Sequence, residues 1–226
     1  MKEICPIIQL KSDELLINTL NLDDSLCENF GNGFFISSGG LIASVAHVLK
    51  NGEGINSYAL LNETLHKIII LSRRLTDENE DHLDIAIGQI DLGGMDFFDP
   101  MQFERVQESS SVTTKGFSRR LVNVETCEKL IPFDLHGNYV EIPGICLDTI
   151  YSSRSIIMKN SFTVVMGDSP QIINASSINF KGLSGSLIVN ENNLIVGILK
   201  AGGEIGIKIV GHAMHIEKIK EMYLRL

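Results

Sequence analysis

The feature that most limits how this chain can fold is its rhythm of short apolar runs broken by turn residues. Such runs recur at residues 5–10, 15–20, 33–37, 41–44, 66–71, 84–90, 111–116, 146–150, 161–165, 186–189, 194–200 and 205–210. They are rich in Ile, Val and Phe, side chains that pack well on a pleated surface. Ser38-Gly39-Gly40, between two of the runs, is a hairpin signal. Helical patterning is confined to a turn or two around residues 47–49 and to residues 215–226. In the latter, Ile216, Ile219, Met222 and Tyr223 recur at helical spacing. Many short strands and little helix specify an all-β chain, a sandwich or a pair of barrels. Residues 93–111 have the weakest strand character and mark the junction between two halves.

Composition removes several roles. Apolar residues make up 44% of the 226, enough for a sizeable core. No run approaches the roughly 18 apolar residues of a membrane span. The net charge of −9, without a basic patch, argues against nucleic acid as a partner. After Met1-Lys2-Glu3 the apolar stretch is too short for a secretory signal. Cys5, Cys27, Cys127 and Cys146 show neither Cys-X-X-Cys nor metal-type spacing. Free, mostly buried thiols in a reducing compartment are expected, hence a cytoplasmic protein with no membrane partner.

Three local frames carry chemistry. Gly182-Leu183-Ser184-Gly185-Ser186 is followed at once by the apolar Leu187-Ile188-Val189. A serine on so tight a turn has backbone N–H groups facing the same way as its hydroxyl, which acyl transfer needs. His47 stands in Ser44-Val45-Ala46-His47-Val48, and Asp84 opens Asp84-Ile85-Ala86-Ile87. Each frame alone is common: a core histidine, a strand-start aspartate, a turn. Together they stand in the order His, Asp, Ser, 37 and 100 positions apart. That is the order of the chymotrypsin-like triad, whereas the esterase-type hydrolase scaffold runs Ser, Asp, His.

At these residues the chain resembles bacterial trypsin-like (chymotrypsin-fold) serine peptidases of the HtrA and glutamyl-endopeptidase types. Gly31-Asn32-Gly33-Phe34-Phe35-Ile36-Ser37 and Gly40 to Val48 are similar to the stretch leading to their catalytic histidine. Residues 84–87 resemble their aspartate strand. Residues 182–189, with Val196-Gly197-Ile198, resemble their nucleophile loop and the strands after it. The resemblance implies one protease domain over residues 1–226, with no segment left over for a PDZ domain. Its fold would be two antiparallel six-stranded β-barrels with a C-terminal helix. Residues 1–105 would carry His47 and Asp84, and residues 106–226 would carry Ser184.

The activity implied is that of a serine endopeptidase acting on a protein or peptide, with neither metal nor organic cofactor. His47 would accept the Ser184 proton and return it to the leaving amine, a task suited to an imidazole. Asp84 would hold its tautomer. The amides of Gly182 and Ser184 would form the oxyanion hole. By the same likeness the substrate pocket would involve Ile178, near Asn179, with Lys200, Ala201 and Gly202 opposite and Gly211 behind. Ile178 stands where a trypsin-type pocket needs aspartate, so cleavage after a small or medium apolar residue is expected. Lys200 offers an alternative, an anchor for an acidic side chain.

Two positions depart from the family. Asn32 replaces the usual Thr or Ser, and Leu183 replaces the Asp or Asn before the nucleophile. In zymogen-type relatives that aspartate pairs with a freed N-terminal amine and orders the oxyanion loop; leucine cannot. Packing of Leu183, or an activating partner or ligand, is expected to order the loop. His82 is a rival base with the bland reading of a surface histidine, while His212 and His215 read as edge-of-core residues that could reach a substrate. The alternative function is a protease-fold module of little or no turnover that binds a peptide or protein partner.

Overall fold

The computed structural model describes residues 4–11, 27–52, 54–62, 64–76, 82–118, 138–147, 161–168, 182–205 and 208–226. The strand expected at 15–20, and positions Ile178 and Asn179, lie outside them. The first sheet contains β1 (Ile4–Leu10), β2 (Cys27–Phe35), β3 (Leu41–Ser44), β4 (Asn56–Leu61), β5 (Thr64–Lys67), β6 (Ile69–Thr76) and β7 (His82–Gln89). All pairings in it are antiparallel, and the spatial order is β5-β4-β1-β2-β3-β7-β6. Only Ile68 separates the two edge strands, and its amide donates to the Ser57 carbonyl at 2.9 Å. One stretch of chain therefore lines both edges, and the sheet must curl until they converge.

The second half is a closed antiparallel barrel of six strands. They are β8 (Ser111–Ser118), β9 (Asn138–Leu147), β10 (Ser161–Asp168), β11 (Leu187–Asn190), β12 (Ile195–Ile205) and β13 (Lys208–His215). A short helix, α1 (Glu217–Tyr223), follows. The alternation of β11 explains how the halves join. Ile188 points into the barrel interior, packed with Phe162, Val164 and Leu199. Leu187 and Val189 point outward, into a cluster shared with Phe34, Val48 and Ile85 of the first sheet. Ile219 and Met222 of α1 cover the same cluster. Between the halves, the Phe98 amide bonds the Phe35 carbonyl at 3.0 Å, and the Glu104 amide bonds that of Ile195 at 3.0 Å.

The chain is thus mostly β with a single C-terminal α-helix among the described residues. Several boundaries differ from expectation for identifiable reasons. The run expected at 66–71 divides at Ile68, where pairing passes from β4 to β7. β12 continues through Ala201-Gly202-Gly203 because β13 pairs with it throughout. His215 belongs to β13 rather than to the helix, with its ring 4.9 Å from that of Phe162. Around His47 there is one helical turn: the amides of Val48 and Leu49 both donate to the Val45 carbonyl, at 3.1 and 3.0 Å.

Candidate active site

Pairing of Ser44 in β3 with Ala86 in β7 sets the two chain segments side by side, and the turn after β3 then carries His47 over Asp84. Asp84 lies where β7 slips against β6: Arg74 faces Ile85, but Thr76 faces His82. At this bulge its φ is +48°, a left-handed conformation that costs a non-glycine residue about 1 kcal/mol and that Asp tolerates better than most. The carboxylate receives two bonds in return, from the His47 amide at 3.0 Å and from His47 Nδ1 at 2.8 Å. Burial pushes the Asp84 carboxyl up, but the hydrogen bonds and charge of His47 outweigh it, with a smaller contribution from Lys200. The carboxyl is held below its ordinary value.

The histidine turn is tied down carbonyl by carbonyl. Arg73 Nε donates to the Ala46 carbonyl at 2.9 Å. Gln9 Nε2 reaches the carbonyls of His47 and Val48, at 3.0 and 2.6 Å, and Asn29 Nδ2 also reaches that of His47, at 3.3 Å. With Asp84 on Nδ1, the proton sits there and Nε2 is left as the acceptor. Gln9, Asn29 and Arg73 were not foreseen as parts of the site. Gln9 had a signal: a lone amide in an otherwise apolar strand must find partners once buried.

The Ser184 loop docks on the same wall. Gly182 and Gly185 have φ of +92° and +85°, and a Cβ on Gly185 would collide with the Asn32 carbonyl. The Ser184 carbonyl accepts from the Asn32 amide at 2.7 Å, the Leu183 carbonyl from the Ser186 amide at 2.9 Å, and the Gly185 amide donates to Leu199 at 2.8 Å. The amides of Gly182, Leu183 and Ser184 have no acceptor among the described residues. Ser184 Oγ donates to the Lys200 carbonyl at 3.0 Å and makes no hydrogen bond to His47. That carbonyl is available because Lys200 is bulged out of the ladder, between Leu199 facing Ala213 and Ala201 facing His212.

The remaining expected residues fall as follows. The Lys200 side chain is half-buried; burial lowers its pKa, and the attraction of Asp84 offsets only part of that. Ala201 and Gly202 are exposed, and beyond Lys200 β12 has β13 as its sole strand partner among the described residues. Gly211 is buried, and a side chain there would meet Met166 and Leu199 inside the barrel. His212 Nδ1 is buried without a hydrogen-bond partner. His82 pairs with Thr76 at the start of β7. Among the described residues, no three His, Cys, Asp or Glu side chains are grouped as a metal site would require.

The fold has counterparts among solved structures. The Rv3671c protease of M. tuberculosis in its active form superposes with a TM-score of 0.62 at 14% identity, over 99% of this chain and 80% of that one. Its inactive form gives 0.58 at 13%, over 98% and 88%. The MamO protease domain of Magnetospirillum magneticum, apo form, gives 0.56 at 13%, over 85% and 87%. The sequence matches no protein-family model and no curated protein. The chain has the fold of trypsin-like protease domains.

Proposed function

We propose that the chain is a serine endopeptidase, a single protease domain over residues 1–226 working through His47, Asp84 and Ser184. The observation that carries this is the His47–Asp84 pair at 2.8 Å, with its imidazole Nε2 without a partner among the described residues, beside the wall on which the Ser184 loop is docked. Ser184 Oγ leaves the Lys200 carbonyl, turns to His47 Nε2 and attacks the scissile carbonyl while His47 takes its proton. The oxyanion forms against the amides of Gly182 and Ser184; one such donor is worth about 2.7–4 kcal/mol. His47 then protonates the departing amine, leaving an acyl-enzyme that water cleaves by the reverse path. The edge of β12 at Ala201 and Gly202, which has no strand partner on one side among the described residues, offers backbone for antiparallel pairing with a peptide.

The substrate class is a protein or peptide with a small or medium apolar residue before the cut, with Lys200, Ala201 and Gly202 beside the bound chain. The buried thiol of Cys5, pushed up to about 12 by burial, suits a reducing cytoplasmic setting. Among the described residues, no helix is long and apolar enough to cross a membrane. One observation favours the second reading, a peptide-binding module of weak turnover: the Ser184 hydroxyl is engaged with Lys200 instead of His47. A partner or substrate that takes over that carbonyl would release it. Labelling with a fluorophosphonate decides, with Ser184→Ala as control. Label on Ser184 is the expected result; a wild type that stays unlabelled even with peptide or partner present supports the binding module. Sequencing the products of a peptide library then reads specificity, and cleavage after Lys or Arg would contradict the pocket assignment.

A further inference from the structure

The residue before the nucleophile, Leu183, is packed inside the second barrel, where it can pair with no charge. The loop is nevertheless anchored at successive carbonyls, and two of the anchors come from the other sheet. We propose that Asn32 is the positioning residue that holds the oxyanion loop in its working shape, its carboxamide on Gly182 and its amide on Ser184 replacing the ion pair that Leu183 cannot make. This rests on the serine-peptidase proposal and concerns the same site.

Asn32 is fully buried in β2. Its Nδ2 donates to the Gly182 carbonyl at 2.7 Å, and its amide donates to the Ser184 carbonyl at 2.7 Å. Between them, the Leu183 carbonyl is taken by Ser186. A trans peptide unit points its N–H opposite to its C=O, so the inward carbonyls of Gly182 and Leu183 turn the amides of Leu183 and Ser184 away from the protein, while the Gly185 amide is held by the Leu199 carbonyl at 2.8 Å. The carboxamide is itself fixed. Oδ1 accepts from the Phe117 amide at 2.6 Å, and Nδ2 donates also to the Phe117 carbonyl at 3.0 Å. Ser44 Oγ holds the Asn32 carbonyl at 2.6 Å.

Both N–H donors and the oxygen of this side chain are therefore occupied, by β8 and by the nucleophile loop. The loop's shape is thereby coupled to the seating of one half of the molecule on the other. Serine or threonine carries one hydroxyl on a shorter arm and cannot engage these three groups together. Aspartate has the same outline but no donor, and it would set a carboxylate against two carbonyl oxygens.

The test compares wild type with Asn32→Ser and Asn32→Asp on a cleaved library peptide, reading kcat, KM and thermal melting separately. The expected result is a kcat lower by about 10²–10³-fold with little change in KM, because the lost stabilisation exists only in the transition state. A lower melting temperature with kcat intact would mean that Asn32 is merely structural and would overturn the proposal. If neither variant folds, the wild type decides. Its Asn32 side-chain amide protons should exchange with solvent far more slowly than those of exposed Asn192, and exchange at the Asn192 rate overturns the proposal. The two proposals fail separately. A wild type that takes no fluorophosphonate, but whose single Gly182 and Ser184 amide signals split in Asn32→Ser, removes the peptidase and leaves the loop anchor standing.

Discussion

The two halves of the candidate site are prepared to different degrees. On the first sheet the proposed general base has its full set of partners: a bulged aspartate, two hydrogen bonds to one histidine, and three side chains on the carbonyls of its turn. On the second barrel the loop is anchored, but the hydroxyl it presents is bonded to a backbone carbonyl outside the triad. In the proposed peptidase, control of turnover would therefore act on the serine half. The base is built by strand register within one sheet, whereas the nucleophile depends on a bulge in β12 and on bonds that cross between the halves.

The largest break in this contrast is Asp84→Asn. The carboxamide keeps one acceptor oxygen where the carboxylate offers two to the His47 amide and to Nδ1, the imidazole loses its enforced tautomer, and kcat should fall by about 10⁴-fold with little change in KM. The same variant sharpens the pH dependence. The folded carboxyl of Asp84 is held below its ordinary value. The stability it contributes is thus fully present above the ordinary carboxylate range and is lost as pH falls through its own lower pKa. Urea unfolding of wild type and Asp84→Asn should differ most near neutrality and converge in acid. A gap that widens in acid would mean that burial, not His47, dominates this carboxyl.

On the serine side, Gly185→Ala forces a left-handed residue and drives a methyl group into the Asn32 carbonyl. A loss of about 2–4 kcal/mol is expected, with labelling of Ser184 abolished. The matching change on the histidine side is Gln9→Ala, which leaves the buried Val48 carbonyl with only the longer bond from Ser57 Oγ, 3.5 Å, and that of His47 with Asn29 alone. It should cost about 1–3 kcal/mol in denaturant unfolding and slow turnover less than Gly185→Ala does. If the two variants slow turnover equally, the asymmetry between the halves is not real.

The sequence announces these halves unequally too. The histidine and serine frames are legible because each is local: a small-residue turn after a strand, a Gly-flanked serine before one. β4 was not foreseen, since Asn56–Leu61 follows two glycines and mixes polar with apolar residues. Most of β9 was also missed because Pro143 speaks against a strand. Pro143 is tolerated where β9 pairs with β8 alone, ahead of the residues that pair with β10. Asn32 could be marked only as a departure from a resembling family. Its partners lie 85 and 150 positions away, and nothing local in the sequence encodes such a distance. The left-handed backbone of Asp84 and the Lys200 bulge likewise arise from strand register.

The smallest expected effect concerns Lys200, where backbone and side chain do different things. The carbonyl holds the serine hydroxyl, so Lys200→Met leaves that bond intact, and the rate of fluorophosphonate labelling should change little. The ammonium is half-buried, and burial lowers its pKa more than Asp84 raises it, so the fold carries a penalty for the charge. That penalty is present below the lysine's own lowered pKa and vanishes as pH rises past the ordinary lysine value. Lys200→Met should therefore match or slightly exceed wild-type stability at neutral pH, with the difference closing in alkali. A clear loss of stability at neutral pH would instead mean that the attraction between Lys200 and Asp84 outweighs the cost of burying the ammonium. The first sheet's base would then depend on the second barrel for its charge balance, and the division between a finished half and a governed half would give way to a single shared electrostatic unit.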